Sequence, residues 1–194
     1  MILPQRIFLI GVPGSRWSGI AQNIEDNISS FNTTDRTENR KYAHHNFSGH
    51  LGVYFGTGWE HDTELTDENL DSAFTNTKGT RFLKSHEWAY SLDKIKEKFP
   101  NDWIMLVHRP DLSAYSWWHE AGGFTISYPD YYPYYKDSIN MLNEIRQMHQ
   151  HMFNFSQKHN LKWSHISADW IEENFGTRVE PTVKLSDTLV TILK

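Results

Sequence analysis

Three short stretches hold the residues whose types and spacing could do chemistry. The first is Gly11-Val12-Pro13-Gly14-Ser15-Arg16-Trp17-Ser18, a turn of glycines and hydroxyls that also carries a guanidinium. A turn of this kind before a helix aims several backbone N–H groups at one point, where an anionic ester can bind. The second is Lys84-Ser85-His86, an ammonium and an imidazole two residues apart. Near its pKa an imidazole can take a proton from a hydroxyl, while an ammonium steadies the oxygens of a group in transfer. The third is His108-Arg109 with Ser116 following. There an arginine fork and a hydroxyl could hold a second phosphate. Arg109 is preferred to His108 for that contact, because a permanent charge holds phosphate better than an imidazole.

Each stretch follows an apolar run. Ile7 to Val12 is nearly unbroken and β-branched, as expected of a strand buried on both faces. From Trp17 the pattern turns helical, with Trp17, Ile20, Ala21 and Ile24 on one face. Thr80 to Ser85 and Trp103 to Val107 read as further strands. Helices are expected from Thr66 to Phe74, Leu92 to Phe99, from Asp111 through Trp118, Lys136 to His159 and Ala168 to Asn174. Leu51 to Phe55 and Lys162 to Ile166 read as short strands, Phe124 to Tyr135 as an aromatic loop or lid, and Pro181 to Lys194 as one more helix. The alternation predicts an α/β domain, three layers (α/β/α) around a mostly parallel sheet. Ligands in such sheets sit beyond the carboxyl ends of the strands, so all three stretches should share one edge. Lys84 and His86 should leave their strand on one face.

The chain of 194 residues is read as a single domain, 1–194, with 38% hydrophobic and 22% charged residues. A net charge of −5 argues against nucleic acid as a partner, so any anion site must be a local basic pocket. With no cysteine, thiol chemistry and disulfides are excluded. No apolar run has the length of a membrane span, and the start lacks the pattern of a signal peptide, so a cytoplasmic protein is the expectation. His44, His45 and His50 fit no common zinc spacing, so no metal is expected. Gly11 to Ser18 has the length of the nucleotide P-loop, but Arg16 stands at its second glycine and Trp17 at its lysine. That argues against ATP or GTP.

In order, the three stretches resemble the motifs of the sulfotransferase family. GVPGSRWSG is similar to its PKSGTTW or GVPRSGTT loop, RFLKSH to its strand ending in KTH, and WIMLVHRPDLSAYSWW to its strand, arginine and serine-bearing helix. The likeness covers Arg6 to Asn27 and Thr80 to Trp118 and is faint from Lys162 to Phe175. It implies a P-loop-like fold and transfer of a sulfuryl group from 3′-phosphoadenosine-5′-phosphosulfate to a hydroxyl of a small molecule, sugar or lipid. By residue it implies donor contacts from Gly14, Ser15, Arg16, Trp17, Ser18, Arg109 and Ser116, with His86 as base and Lys84 and Arg16 at the transferring group. The family's loop base is Gly14 here and its glycine is Arg16, so the charge has moved two positions. Its adenine-stacking aromatic is Gly19 here, and Trp17 is the expected substitute. A P-loop phosphotransferase, or a nucleotide-binding protein that has lost the reaction, are the alternatives.

Overall fold

The computed structural model describes residues 2–34, 41–42, 53–54, 65–120, 137–182 and 187–194. Its centre is a five-stranded sheet. β1 (Arg6–Gly11) lies between β4 (Arg81–Lys84) and β5 (Trp103–His108), parallel to both. Beyond β5 come β7 (Leu189–Leu193), antiparallel to it, and the two-residue edge strand β6 (Ser164–His165), giving the order β4-β1-β5-β7-β6. Two further strands, β2 (Lys41–Tyr42) and β3 (Val53–Tyr54), pair with each other in a separate antiparallel ribbon.

β1 is central because its apolar run can be buried on both faces. Ile7 and Leu9 point into a cluster with Trp17, Ile20 and Ile24 of α1 (Trp17–Asn27) and Trp170, Ile171 and Phe175 of α6 (Ala168–Phe175). Phe8 and Ile10 point the other way, toward α2 (Asp67–Ser72), α3 (Leu92–Lys98), α4 (Asp111–Glu120) and α5 (Ser138–Lys158). Helices thus cover both faces of a mostly parallel sheet. Helical spacing offers an apolar stripe on α5 of Ile139, Leu142, Ile145, Met148, Met152 and Phe153. Of these, Ile145, Met148 and Met152 are core, Leu142 and Phe153 are half-buried and Ile139 is 74% exposed. Met141 and Phe155 complete the buried face, which is rotated from the expected one. Side-chain caps start three of these helices: Thr66 accepts from the Asn69 N–H, Asp137 from Asn140 and Ser167 from Trp170.

Two expectations are corrected. The helix expected over Pro181 to Lys194 is, in its described part, the strand β7, hydrogen-bonded between β5 and β6. The run Leu-Val-Thr-Ile-Leu is short, with two β-branched side chains at its centre and a third, Ile192, and the unpaired edge of β5 takes it up as a strand. The strand expected over Lys162 to Ile166 shrinks to two residues because it pairs only with Ser164 and His165 against Val190 and Leu189. The aromatic segment Phe124 to Tyr135 and His44, His45 and His50 lie outside the described residues.

Candidate anion-binding site

β1, β4 and β5 are parallel neighbours, so the three chemical stretches emerge at one edge of the sheet. In register Leu9 faces Lys84 and Gly11 faces Val107. After β1 the chain closes a turn in which the Ser15 N–H donates to the Val12 carbonyl at 3.0 Å. Gly11 lets α1 start close to the strand, since a Cβ there would lie 2.7 Å from Ser15 Oγ and 2.8 Å from Trp17 Cβ. Gly14 has φ +80 and lies against α4, where a Cβ would come within 1.9 Å of the Ala114 carbonyl oxygen. No side chain fits at residue 14, and the cation of this loop stands two positions on, at Arg16.

Arg16 is itself left-handed, with φ 67, a backbone cost of ~1–3 kcal/mol that clusters at functional sites. It caps α1 without a side-chain hydrogen bond, and the first turn of that helix holds no acidic residue, so its positive end is not neutralised locally. Ser15 is fully buried, and its hydroxyl has no hydrogen-bond partner among the described residues.

From Arg16 the guanidinium reaches across to α4 and stacks on Trp117, 4.0 Å from the ring centre. Trp117 lines the same cavity as Arg109, whose charge acts on Arg16. Burial first, and then repulsion from Arg109, hold Arg16 below the ordinary arginine pKa. Arg109 donates from Nε to Asp187 Oδ1 at 3.1 Å and Oδ2 at 3.3 Å, and from Nη1 to the Gly14 carbonyl at 3.5 Å. Beside it opens a cavity of about 330 Å³ lined by Arg109, Leu112, Ser113, Ser116, Trp117 and Glu120. Arg109 and Ser116 therefore share one concave surface, and the loop joins it through Arg16. A larger cavity of about 600 Å³ lies at the other edge, by Gln5, Thr80 and Phe175. No ionisable side chain lines it among the described residues, so it lacks the charge to hold a phosphate ester.

The other members of the expected set are arranged differently. Trp17 is 5% exposed and packs in the core between α1 and the sheet. Its ring cannot stack on a ligand, and the indole at the site is Trp117. Lys84 and His86 do not share a face. Lys84 turns to α1 and pairs with Glu25 at 3.0 Å. His86 lies beyond the last strand residue, in helical backbone at the start of the 3-10 turn Glu87–Tyr90, so the strand alternation no longer governs it. It is 2% exposed, with Nε2 3.3 Å from Glu87 Oε1. Ser18 is half-buried in the first turn of α1.

His108 does not join Arg109. Its ring packs in an aromatic box, 4.4 Å from His149, 4.8 Å from Phe153 and 6.0 Å from Trp163. Burial, and then the neighbouring His149, push its pKa down to about 4, so it is neutral at physiological pH. His108 thus turns its ring away from the cavity that Arg109 lines. The residues missed by sequence reasoning are Ser113, Trp117, Asp187 and His149. Helical spacing places Ser113 and Trp117 within a turn of Ser116 and could have flagged both. Asp187 lies 78 positions from Arg109, and no local pattern joins them.

Comparison with known proteins returns no matching family model, no matching curated protein and no matching solved structure. Among the described residues no helix is long and apolar enough to cross a membrane, and no cluster of three or more His, Cys, Asp or Glu could hold a metal ion.

Proposed function

We propose that this edge of the sheet binds an anionic nucleotide carrying two separate phosphate-type groups, and that the chain uses 3′-phosphoadenosine-5′-phosphosulfate as a sulfuryl donor. The observation that carries the reading is that two guanidiniums gather at one cavity, Arg109 in its wall and Arg16 on the face of Trp117, which lines it, beside the unneutralised start of α1. Like charges held together in a partly dry site lower their energy by taking an anion between them. Ser116 and Ser113 add hydroxyl donors from the same cavity. The motif order supports the identity of the donor, and a P-loop-like arrangement of strand, turn and helix follows from the same resemblance.

In the reaction the acceptor oxygen attacks sulfur, and the bond from sulfur to the phosphate oxygen breaks. The adenosine bisphosphate leaves with that electron pair, and the acceptor proton passes to His86. Glu87, 3.3 Å from His86 Nε2, would stabilise the imidazolium so formed. A second reading, nucleotide binding without transfer, is favoured by one observation: Lys84 is committed to Glu25 and does not face the site.

Calorimetry with 3′,5′-adenosine bisphosphate tests the binding step. The bisphosphate should bind and ATP should bind more weakly, and Arg109→Ala should weaken the bisphosphate by ~1.5–3 kcal/mol, the worth of a charged hydrogen bond. Unchanged affinity in that variant would remove the site. A sulfate-transfer assay with the donor then separates the two readings, since only the first allows turnover.

A further inference from the structure

We infer that Asp187 is an internal stand-in for the anionic ligand: its carboxylate sits on Arg109, with Ser113 beside it, so the ligand binds by exchange of one anion for another. This deepens the reading above and rests on Arg109 as its anion-holding residue. Both Asp187 oxygens accept from one guanidinium nitrogen, at 3.1 and 3.3 Å. Ser113, in the first turn of α4 and in the wall of the same cavity as Arg109, is near enough to this carboxylate for its hydroxyl to help lower the pKa. Burial alone would raise the Asp187 pKa, but these two neighbours hold it below the usual carboxylate range, so the group stays ionised. A carboxylate held by an arginine, with a serine of a helix's first turn beside it, stands where a bound phosphate would stand.

Asp187 keeps about a third of its side chain exposed (32%), so it can leave for solvent without opening the core. The charges show what exchange achieves. Among the described residues Arg16 has no carboxylate within ion-pair distance, whereas Arg109 has Asp187. With Asp187 in place the two arginines present one net positive charge; with it displaced they present two. A dianionic phosphate ester therefore gains more from the exchange than a monoanion does, and Asp187 sets a threshold that favours ligands of higher charge.

The test compares wild type with Asp187→Asn, which keeps the shape and loses the charge, using inorganic phosphate and 3′,5′-adenosine bisphosphate at fixed ionic strength and neutral pH. Asp187→Asn should bind both about tenfold more tightly, the size of one charged contact no longer contested. Asp187→Glu should bind like wild type, and Arg109→Ala placed on Asp187→Asn should abolish the gain. Asp187→Ser carries the same expectation as Asp187→Asn and covers a disturbed turn before β7. Phosphate bound no more tightly by either uncharged variant would overturn the inference and make Asp187 a strut that orients Arg109. Should phosphate tighten while the bisphosphate binds no better than phosphate, the exchange stands and the nucleotide reading falls.

Discussion

At the scale of single residues, the site depends on a loop that has no room for a side chain at one position and bears a strained one two positions on. Gly14 must be glycine for two independent reasons, its φ of +80 and the Ala114 carbonyl 1.9 Å from where a Cβ would stand. Gly14→Ala should therefore cost at least ~1–3 kcal/mol, from the backbone region alone, and more if α4 must retreat. Urea denaturation measures it; a loss below that range would mean that the loop and α4 are not in contact. A lysine at residue 14 meets the same obstacle. Arg16 can keep its left-handed backbone because its side chain is repaid by Trp117, through a cation–aromatic contact of ~0.5–2 kcal/mol.

At the scale of elements, β5, α4 and α5 are joined just behind the site by a buried histidine pair. His149 of α5 places Nδ1 2.7 Å from Asp111 Oδ1 at the start of α4, and its ring lies against His108 at the end of β5. Arg146 adds a second contact to Asp111 at 3.4 Å, and Asp187 also bears on His108. Burial lowers the pKa of both histidines, against the opposing pull of Asp111. The unfolded chain, with ordinary values near 6.5, thus binds more protons than the folded one below that pH. The stability from neutral His108 is complete above about 6.5 and is lost as the pH falls through about 4. The melting temperature should fall across that window. In His108→Phe the fall should be shallower by about one proton's linkage. An unaltered pH profile in that variant would show that His108 is not buried neutral.

For the whole molecule, ions as well as aromatic packing hold the edge of the sheet opposite the site. Arg6 and Arg81 stand side by side on β1 and β4, the latter fully buried. Arg6 reaches Asp102 at 2.7 Å and Asp67 at 2.6 Å, while Arg81 reaches Asp71 at 2.6 Å. Asp102→Ala leaves Arg6 partly uncompensated beside Arg81. It should destabilise the fold by about 3 kcal/mol, the lower end for breaking a buried pair because Asp67 remains. Denaturation at raised salt is the check: Asp102 is 7% exposed, so the loss should persist where exposed pairs are screened.

Much of this architecture is written in local pattern. The apolar runs before Gly11, Ser85 and Arg109, each followed by a helix signal, are enough to demand parallel strands with their carboxyl ends on one edge. The spacing of Ile145, Met148 and Met152 is enough to demand the long helix, although packing turns Ile139 out and brings Met141 and Phe155 in. Both follow from periods of two and 3.6, which depend on the chain alone. What tertiary structure decided are matters of partner and face. Leu189 to Leu193 is a strand because β5 offers an open edge, a partner more than 80 positions away. Trp17 is core and Trp117 is at the site because α1 lies flat on the sheet while α4 turns one side to the cavity. Lys84 and His86 part company because the strand ends between them, and Asp187 meets Arg109 only once β7 has been threaded into the sheet. Local spacing sets which way a side chain leaves its own element; what it meets there is set by register and packing between elements far apart in the chain.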